Sequence, residues 1–103
     1  MSTEQRRSPR AQLALALVLK RAKGNPVACR TIDVGAGGAR VTTDRPLRVD
    51  EMLVFDLVTE SHETIGGRCR VLRQQGLNQY GLRFENVDAA AIELLTGVVA
   101  RAA

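Results

Sequence analysis

The chain has 103 residues, which suits one domain around one hydrophobic core and excludes a second domain of similar size. Apolar residues make up 45% and charged residues 25%, as in a globular domain, and three aromatic side chains are too few for a nucleic-acid reader that stacks bases on aromatic rings. The net charge of +4 is unevenly spread, which favours a local anionic partner over a diffuse polyanion.

Residues 1–11 predict a flexible basic leader. Residues 1–24 carry six cationic side chains and one anionic side chain, whereas the rest of the chain carries nine and ten. The excess positive charge therefore lies at the front of the chain, which contains Arg6, Arg7 and Arg10. A polar segment with no apolar run is typical of a solvated terminus.

A strict two-residue alternation begins at Gln12. The leucines at positions 13, 15, 17 and 19 would face one side, and Ala14, Ala16 and Val18 the other. Period two predicts a β-strand, although leucine and alanine are good helix formers. An amphipathic helix is the competing interpretation of this segment.

Five more short strands follow, separated by clusters rich in glycine, proline and acidic residues. They are predicted at Val27–Val34, Ala39–Thr43, Met52–Val58, Thr64–Arg73, and around Tyr80, Leu82 and Phe84, which line the core face of the last strand. The pair Gly66-Gly67 predicts a bulge or sharp coil of the kind that closed barrels need.

The C-terminal segment changes to helical spacing. Asp88 is a suitable N-cap, and apolar side chains recur on one face from Ile92 through Leu95 to Val99. A helix is therefore predicted over about 88–101. The sequence indicates a mainly β fold, a six-stranded antiparallel β-barrel with a C-terminal α-helix over residues 12–103, behind a flexible N-terminal leader.

Metal, redox and membrane functions are not indicated. Cys29 and Cys69 lie 40 positions apart and fit neither a disulfide framework nor a zinc-ligand spacing, and His62 is the single histidine. Both cysteines are expected on core faces as small apolar residues. No apolar stretch is long enough for a signal peptide or a membrane span, so we expect a cytoplasmic protein with no membrane insertion and no cofactor.

Two arginines and a glycine-rich segment carry the functional prediction. Arg6 and Arg10 form an R-x-x-x-R pair, and the segment Asp33-Val34-Gly35-Ala36-Gly37-Gly38 ends a predicted strand. Arginine can pair with the O6/N7 edge of guanine or with phosphate. A carboxylate accepts hydrogen bonds from the ring N–H and amino group of guanine, and glycines allow close backbone approach and positive φ. These residue types favour an anionic ligand that contains guanine.

The arrangement resembles the PilZ family of bacterial cyclic di-GMP receptors. The family pattern R-x-x-x-R matches Arg6 and Arg10, and the pattern [D/N]-x-S-x-x-G matches Asp33 and Gly38, with Asp33 23 positions after Arg10. The strand Tyr80-Gly81-Leu82-Arg83-Phe84 is similar to the family's late Y-G-x-x-F strand. The matches run in order along nearly the whole chain.

The resemblance implies a site and a mode of action. The implied ligand-binding residues are Arg6, Arg7, Arg10, Asp33, Gly35, Gly37 and Gly38. The arginines would grip phosphate and guanine, Asp33 would read guanine, and the glycines would form the turn beside the ligand. Cyclic di-GMP would order the leader onto the barrel and alter binding to a separate effector protein, with the receptor a monomer or a ligand-linked dimer.

One position departs from the family pattern, because the family serine falls on Gly35. Loss of one hydrogen bond to the ligand costs about 0.5–1.5 kcal/mol, roughly threefold to tenfold in affinity. The departure supports an alternative function, a PilZ-like protein–protein adaptor that does not bind the nucleotide. A small nucleic-acid-binding barrel is less favoured, because the chain beyond residue 24 is not basic. An enzyme is least favoured, since no nucleophile–base pair or carboxylate dyad is apparent.

Overall fold

The computed structural model describes residues 9–102, which form seven β-strands and one α-helix. The elements are β1 (Arg10–Ala11), β2 (Ala16–Lys20), β3 (Val27–Gly35), β4 (Gly38–Thr43), β5 (Met52–Val58), β6 (Thr64–Gly76), β7 (Gln79–Asn86) and α1 (Ala89–Ala102). Within these residues no helix combines the length and the apolar run that crossing a bilayer requires.

Strands β2 to β7 close into an antiparallel barrel. Neighbouring strands follow the order β3-β2-β5-β6-β7-β4, and β4 pairs back with β3 to complete the ring. Strand β1 lies outside the ring and pairs with the last residues of β3. The predicted six-stranded antiparallel barrel with a C-terminal helix is confirmed. The short β1 is an addition that the sequence pattern did not indicate, because two residues are too few to show an alternation.

The alternating leucines face the interior of the barrel. Leu15, Leu17 and Leu19 are at most 5% exposed, whereas Ala14 and Ala16 face solvent. Strand β2 pairs with β3 along one edge and with β5 along the other, so its backbone hydrogen bonds are made on both sides. The helical interpretation of this segment is therefore wrong. Each buried leucine contributes about 1.5–3 kcal/mol, which outweighs its modest preference for a helix.

Side chains from every barrel strand fill the interior. Phe55 and Phe84 stack with their ring centroids 4.5 Å apart. The hydroxyl of buried Tyr80 accepts a hydrogen bond of 3.1 Å from the backbone N–H of residue 47. Cys69 is buried and Cys29 is partly buried, and burial raises the pKa of each thiol to about 12. Both cysteines therefore act as small core residues, as expected.

Helix α1 packs against β1, β3 and β6. Asp88 caps its first turn, since its Oδ1 accepts a hydrogen bond of 2.8 Å from the backbone N–H of Ala91. Leu95 and Val99 are buried as predicted, but Ile92 is 41% exposed, so its predicted place on the inner face is wrong. The buried face begins instead at Ala91, whose small side chain lets the first turn lie close to the barrel.

A β-bulge in β3 determines which way Asp33 points. Thr31 pairs with residue 41 of β4 and Asp33 with residue 40, so Ile32 is an extra residue on β3. Before the bulge the odd-numbered residues face the core, and Thr31 is the last of them. Beyond the bulge Val34 is buried, and Asp33 turns toward the outer face. With uninterrupted alternation the carboxylate would face the interior.

A second bulge, in β6, has the same effect on Arg73. Val71 pairs with Leu82 of β7 and Arg73 pairs with Gly81, which leaves Leu72 as the extra residue. Val71 is fully buried, whereas Leu72 and Arg73 are exposed. The bulge therefore brings the arginine to the outer wall of the barrel, where strict alternation from Val71 would have turned it inward.

Thr31 also holds the irregular residues between β1 and β2. Its hydroxyl accepts a hydrogen bond of 2.8 Å from the backbone N–H of Leu15 and donates one to the carbonyl of Leu13. Its own N–H donates to the carbonyl of Leu15 at 2.9 Å. Thr31 is 3% exposed, so these bonds satisfy a buried hydroxyl. They keep β1 on the same edge of β3 as β2, which places Arg10 beside Asp33.

Candidate ligand-binding site

Asp33 lies at the centre of a charged cluster on the outer wall of the barrel. Its Oδ1 accepts hydrogen bonds from Nε of Arg10, at 3.1 Å, and from Nη2 of the same guanidinium. Its Oδ2 accepts one of 3.2 Å from Nε of Arg40, whose Nη2 is 3.1 Å away. The Asp33 side chain is 15% exposed, against 31% for Arg10 and 40% for Arg40. The carboxylate is therefore shielded, while both guanidiniums keep a face toward solvent.

The pairing of the strands explains why these three side chains meet. Arg10 pairs with Gly35, two residues beyond Asp33 on β3, so Arg10 and Asp33 are diagonal neighbours. Gly35 pairs with Gly38 across a two-residue turn, and this register sets Asp33 directly opposite Arg40. The glycine-rich turn therefore aligns the carboxylate of β3 with the guanidinium of β4.

The three turn glycines have different surroundings. A Cβ on Gly38 would lie 2.2 Å from a backbone carbonyl oxygen of β7, and a Cβ on Gly35 would lie 3.0 Å from the carbonyl oxygen of Pro9. Gly37 has open space around it. Among the described residues Gly24 is the glycine with a positive φ, so the turn does not use the positive φ that its glycines would allow. Gly35 and Gly38 instead allow neighbouring backbone strands to approach closely.

A concave pocket of about 500 Å³ opens beside Asp33. One wall comes from β1, β3 and β4, and the other from the hairpin of β6 and β7. Its charged and amide-bearing lining residues are Arg10, Gln12, Asp33, Arg40, Arg73 and Gln75. Three guanidiniums face one carboxylate, so the pocket is suited to an anion.

Sequence reasoning missed Arg40, Arg73 and Gln75 as site residues. Arg40 had a usable signal, because a two-residue turn at positions 36 and 37 requires residue 40 to stand opposite residue 33. Arg73 had no such signal, because it belongs to neither part of the arginine and aspartate–glycine pattern. Its place in the pocket depends on the bulge and on the pairing of β6 with β7, neither of which the local sequence specifies.

Of the predicted ligand residues, Arg10 and Asp33 line this pocket, whereas Gly35, Gly37 and Gly38 lie at the turn between β3 and β4 and do not line it. Arg6 and Arg7 lie outside the described residues, so their part in binding stays a prediction. Arg10 and Ala11, the last two residues of the predicted leader, form β1, and the switching role of the leader over residues 1–11 stays a prediction. In residues 9–102 no three side chains of histidine, cysteine, aspartate or glutamate cluster as metal ligands would.

Comparison with known proteins relates this barrel to a family. The family model described as PilZ domain matches residues 4–101. The inhibitor of motility MotI/DgrA from Bacillus subtilis is similar with a TM-score of 0.84 and 16% identity, over 96% of this chain and 51% of that one. The PilZ domain of YcgR from Escherichia coli, solved with c-di-GMP, has a TM-score of 0.80 and 15% identity, over 96% of this chain and 92% of that one. The PilZ domain of CeSA from a cellulose-synthesizing bacterium has a TM-score of 0.64 and 20% identity, over 85% of this chain and 95% of that one.

The structural matches and the family-model match support different conclusions. The chain spans about half, 51%, of the length of MotI/DgrA, and at such identities the solved structures establish a shared fold alone. A sequence comparison with curated proteins finds no match. The family model is the decisive finding, because it covers nearly all of the sequence, including both halves of the arginine and aspartate–glycine pattern. The chain belongs to the PilZ domain family.

Proposed function

We propose that this PilZ domain is a non-catalytic receptor for cyclic di-GMP. The observation that carries the proposal is the cluster of Arg10, Asp33 and Arg40 on the wall of a 500 Å³ pocket. The PilZ domain of YcgR, which has the same fold, was solved with c-di-GMP. In this proposal the nucleotide is a reversibly bound second messenger and not a cofactor.

Each charged side chain of the cluster has its own role in the proposal. Asp33 accepts hydrogen bonds from the ring N–H and the amino group of guanine. These donors replace Arg10 or Arg40 at the carboxylate, and the released guanidinium turns to a phosphate or to the O6/N7 edge of the base. The exchange leaves the shielded carboxylate with hydrogen-bond donors throughout and so avoids the cost of an unpaired charge.

The charge of the pocket suits a cyclic dinucleotide. Arg10, Arg40 and Arg73 supply three positive charges and Asp33 one negative charge. A cyclic dinucleotide carries one negative charge on each of its two phosphodiesters, which balances this excess. The excess positive charge attracts anions, so a doubly charged anion fits better than a neutral nucleoside.

The proposal includes the N-terminal residues. Arg6 and Arg7 join Arg10 on the ligand, as the R-x-x-x-R pattern implies, and ordering of the leader changes the surface that a separate effector protein reads. The protein acts in the cytoplasm, as a monomer or as a ligand-linked dimer. MotI/DgrA and YcgR support this extension only through the shared fold.

Calorimetric titration tests the receptor function. The wild type should bind cyclic di-GMP but neither GTP nor cyclic AMP. Arg10→Ala should weaken binding by about tenfold or more, since a hydrogen bond to a charged group contributes about 1.5–3 kcal/mol. Arg68→Ala is the matched control, because Arg68 is an exposed β6 arginine that does not line the pocket. Equal affinities of the two variants would reject the site.

A protein–protein adaptor that ignores the nucleotide is the second candidate. Two observations favour it: Gly35 stands at the position of the family serine, and Met52 and Val54 expose 42% and 44% of their surface on the outer face of β5. Exposed apolar side chains on a sheet are suited to a protein partner. A sample that is folded by circular dichroism but gives no heat with cyclic di-GMP would favour this adaptor.

A further inference from the structure

A row of paired residues crosses the outer wall of the barrel from β3 to β6. Asp33 pairs with Arg40, Arg40 pairs with Gly81, and Gly81 pairs with Arg73. Directly paired residues of antiparallel strands project from the same face of the sheet. Neighbouring strands lie about 4.8 Å apart, so the row extends roughly 14 Å from Asp33 to Arg73. It can therefore contact two separate parts of one ligand.

Gly81 leaves a gap within this row. A Cβ at this position would lie 3.6 Å from Nε2 of Gln75 and 3.8 Å from Cγ of Arg73, so these two side chains border the gap. Leu72, which is 41% exposed, adds an apolar surface to the same pocket. The backbone of Gly81 is therefore uncovered, and the guanidinium of Arg73, the amide of Gln75 and the apolar side chain of Leu72 lie around it.

Arg73 can contact a ligand without giving up an interaction within the barrel. The carboxylate of the pocket, Asp33, is occupied by Arg10 and Arg40. For Arg73, in contrast, the structure of residues 9–102 shows neither an ion pair nor a side-chain hydrogen bond. Its side chain is exposed at the far end of the row. The two ends of the pocket therefore offer different chemistry: a paired carboxylate at one end and, at the other, a cation that has no ion pair within residues 9–102.

We infer that Arg73 and Gln75 bind the second guanine of cyclic di-GMP over Gly81, while Asp33 and Arg10 bind the first. This inference rests on the proposed receptor function and adds the part of the pocket that reads the second base. Guanine presents O6 and N7 as paired acceptors, which the fork of an arginine matches. The missing side chain at position 81 leaves room for a flat base against the sheet.

The mixed cyclic dinucleotide with one guanine and one adenine separates the two base sites. It should bind with guanine at Asp33 and adenine over Gly81, where adenine presents a donor amino group in place of the O6 acceptor. The wild type should therefore prefer cyclic di-GMP over the mixed ligand by about tenfold, and Arg73→Ala should lose most of that preference. Equal losses of affinity for both ligands would assign Arg73 to a phosphodiester and overturn its assignment to a base.

Gly81→Val tests the gap without removing a charge. The nearest atoms to a Cβ are at ordinary contact distance, so the barrel accommodates the substitution, and a β-branched residue suits a strand. The rest of the valine side chain occupies the space of the base, so affinity for cyclic di-GMP should fall by about tenfold. Unchanged affinity in a variant that is folded by circular dichroism would contradict the placement of a base over Gly81.

The receptor function and this second base site fail in different ways. If Arg10→Ala binds cyclic di-GMP like the wild type, the receptor site itself is wrong. If Arg10→Ala loses binding but Arg73→Ala and Gly81→Val bind like the control Arg68→Ala, only the second base site is wrong.

Discussion

Alanine at Gly38 should destabilise the barrel through the contact between β4 and β7. A Cβ there would lie 2.2 Å from the carbonyl oxygen of Leu82, about 1.2 Å inside ordinary contact. A shift of β7 by this amount would break the 2.9 Å hydrogen bond from the N–H of Phe84 to the carbonyl of Gly37. Overpacking costs about 1–3 kcal/mol, and the lost hydrogen bond about 0.5–1.5 kcal/mol. The free energy of unfolding should therefore fall by about 1.5–4.5 kcal/mol.

The neighbouring Gly37 supplies the control for this prediction. A Cβ on Gly37 meets nothing within 4 Å, and its φ is not positive, so Gly37→Ala should be neutral or stabilise by up to about 1 kcal/mol. Urea unfolding followed by circular dichroism gives both free energies, and a thermal scan should show a fall of about 4–8 °C per kcal/mol for Gly38→Ala. Equal stabilities of the two variants would refute the explanation of Gly38 by strand contact.

Two further predictions concern Gly35 and Glu51. Gly35→Ser restores the family residue, but its Cβ would lie 3.0 Å from the carbonyl oxygen of Pro9, next to β1. Calorimetry should therefore show no gain in affinity for cyclic di-GMP. A gain in affinity of roughly threefold or more would contradict this explanation. A hydrogen bond from Arg21 lowers the pKa of Glu51, so the ionised carboxylate stabilises the fold at neutral pH and this contribution is lost as the pH falls through the lowered folded-state pKa. Urea unfolding on acidification should therefore show a steeper loss of stability in the wild type than in Glu51→Gln, and parallel curves would argue against the pair.

The parts of the fold that repeat along the chain were predictable from the sequence. The strand Met52–Val58 was predicted with the bounds that the structure shows, because its inward side chains alternate without interruption. The buried face of the alternating leucines was predicted for the same reason. Strand β6 was predicted to end at Arg73 but continues to Gly76, since its last residues are polar and are held by pairing with β7.

The parts of the site that depend on pairing between distant strands were not predictable in this way. Asp33 and Arg10 were expected to meet because of a resemblance, and the structure brings them together through β1, which has no local signature. Arg40 follows from the turn register, but Arg73 reaches the pocket through a bulge and three strand pairings. Ile92 was misplaced because helical spacing alone does not say which of two adjacent faces meets the barrel.

Ile32 and Leu72, the extra residues of the bulges before Asp33 and Arg73, bear on how related chains can be recognised. A one-codon deletion at either position would shorten the chain and straighten its strand, while the flanking side chains stay on their present sides of the sheet. The interval of 23 positions between Arg10 and Asp33 can therefore change by one in a chain that arranges the same groups. A search that demands a constant interval between the two patterns would pass over such a chain.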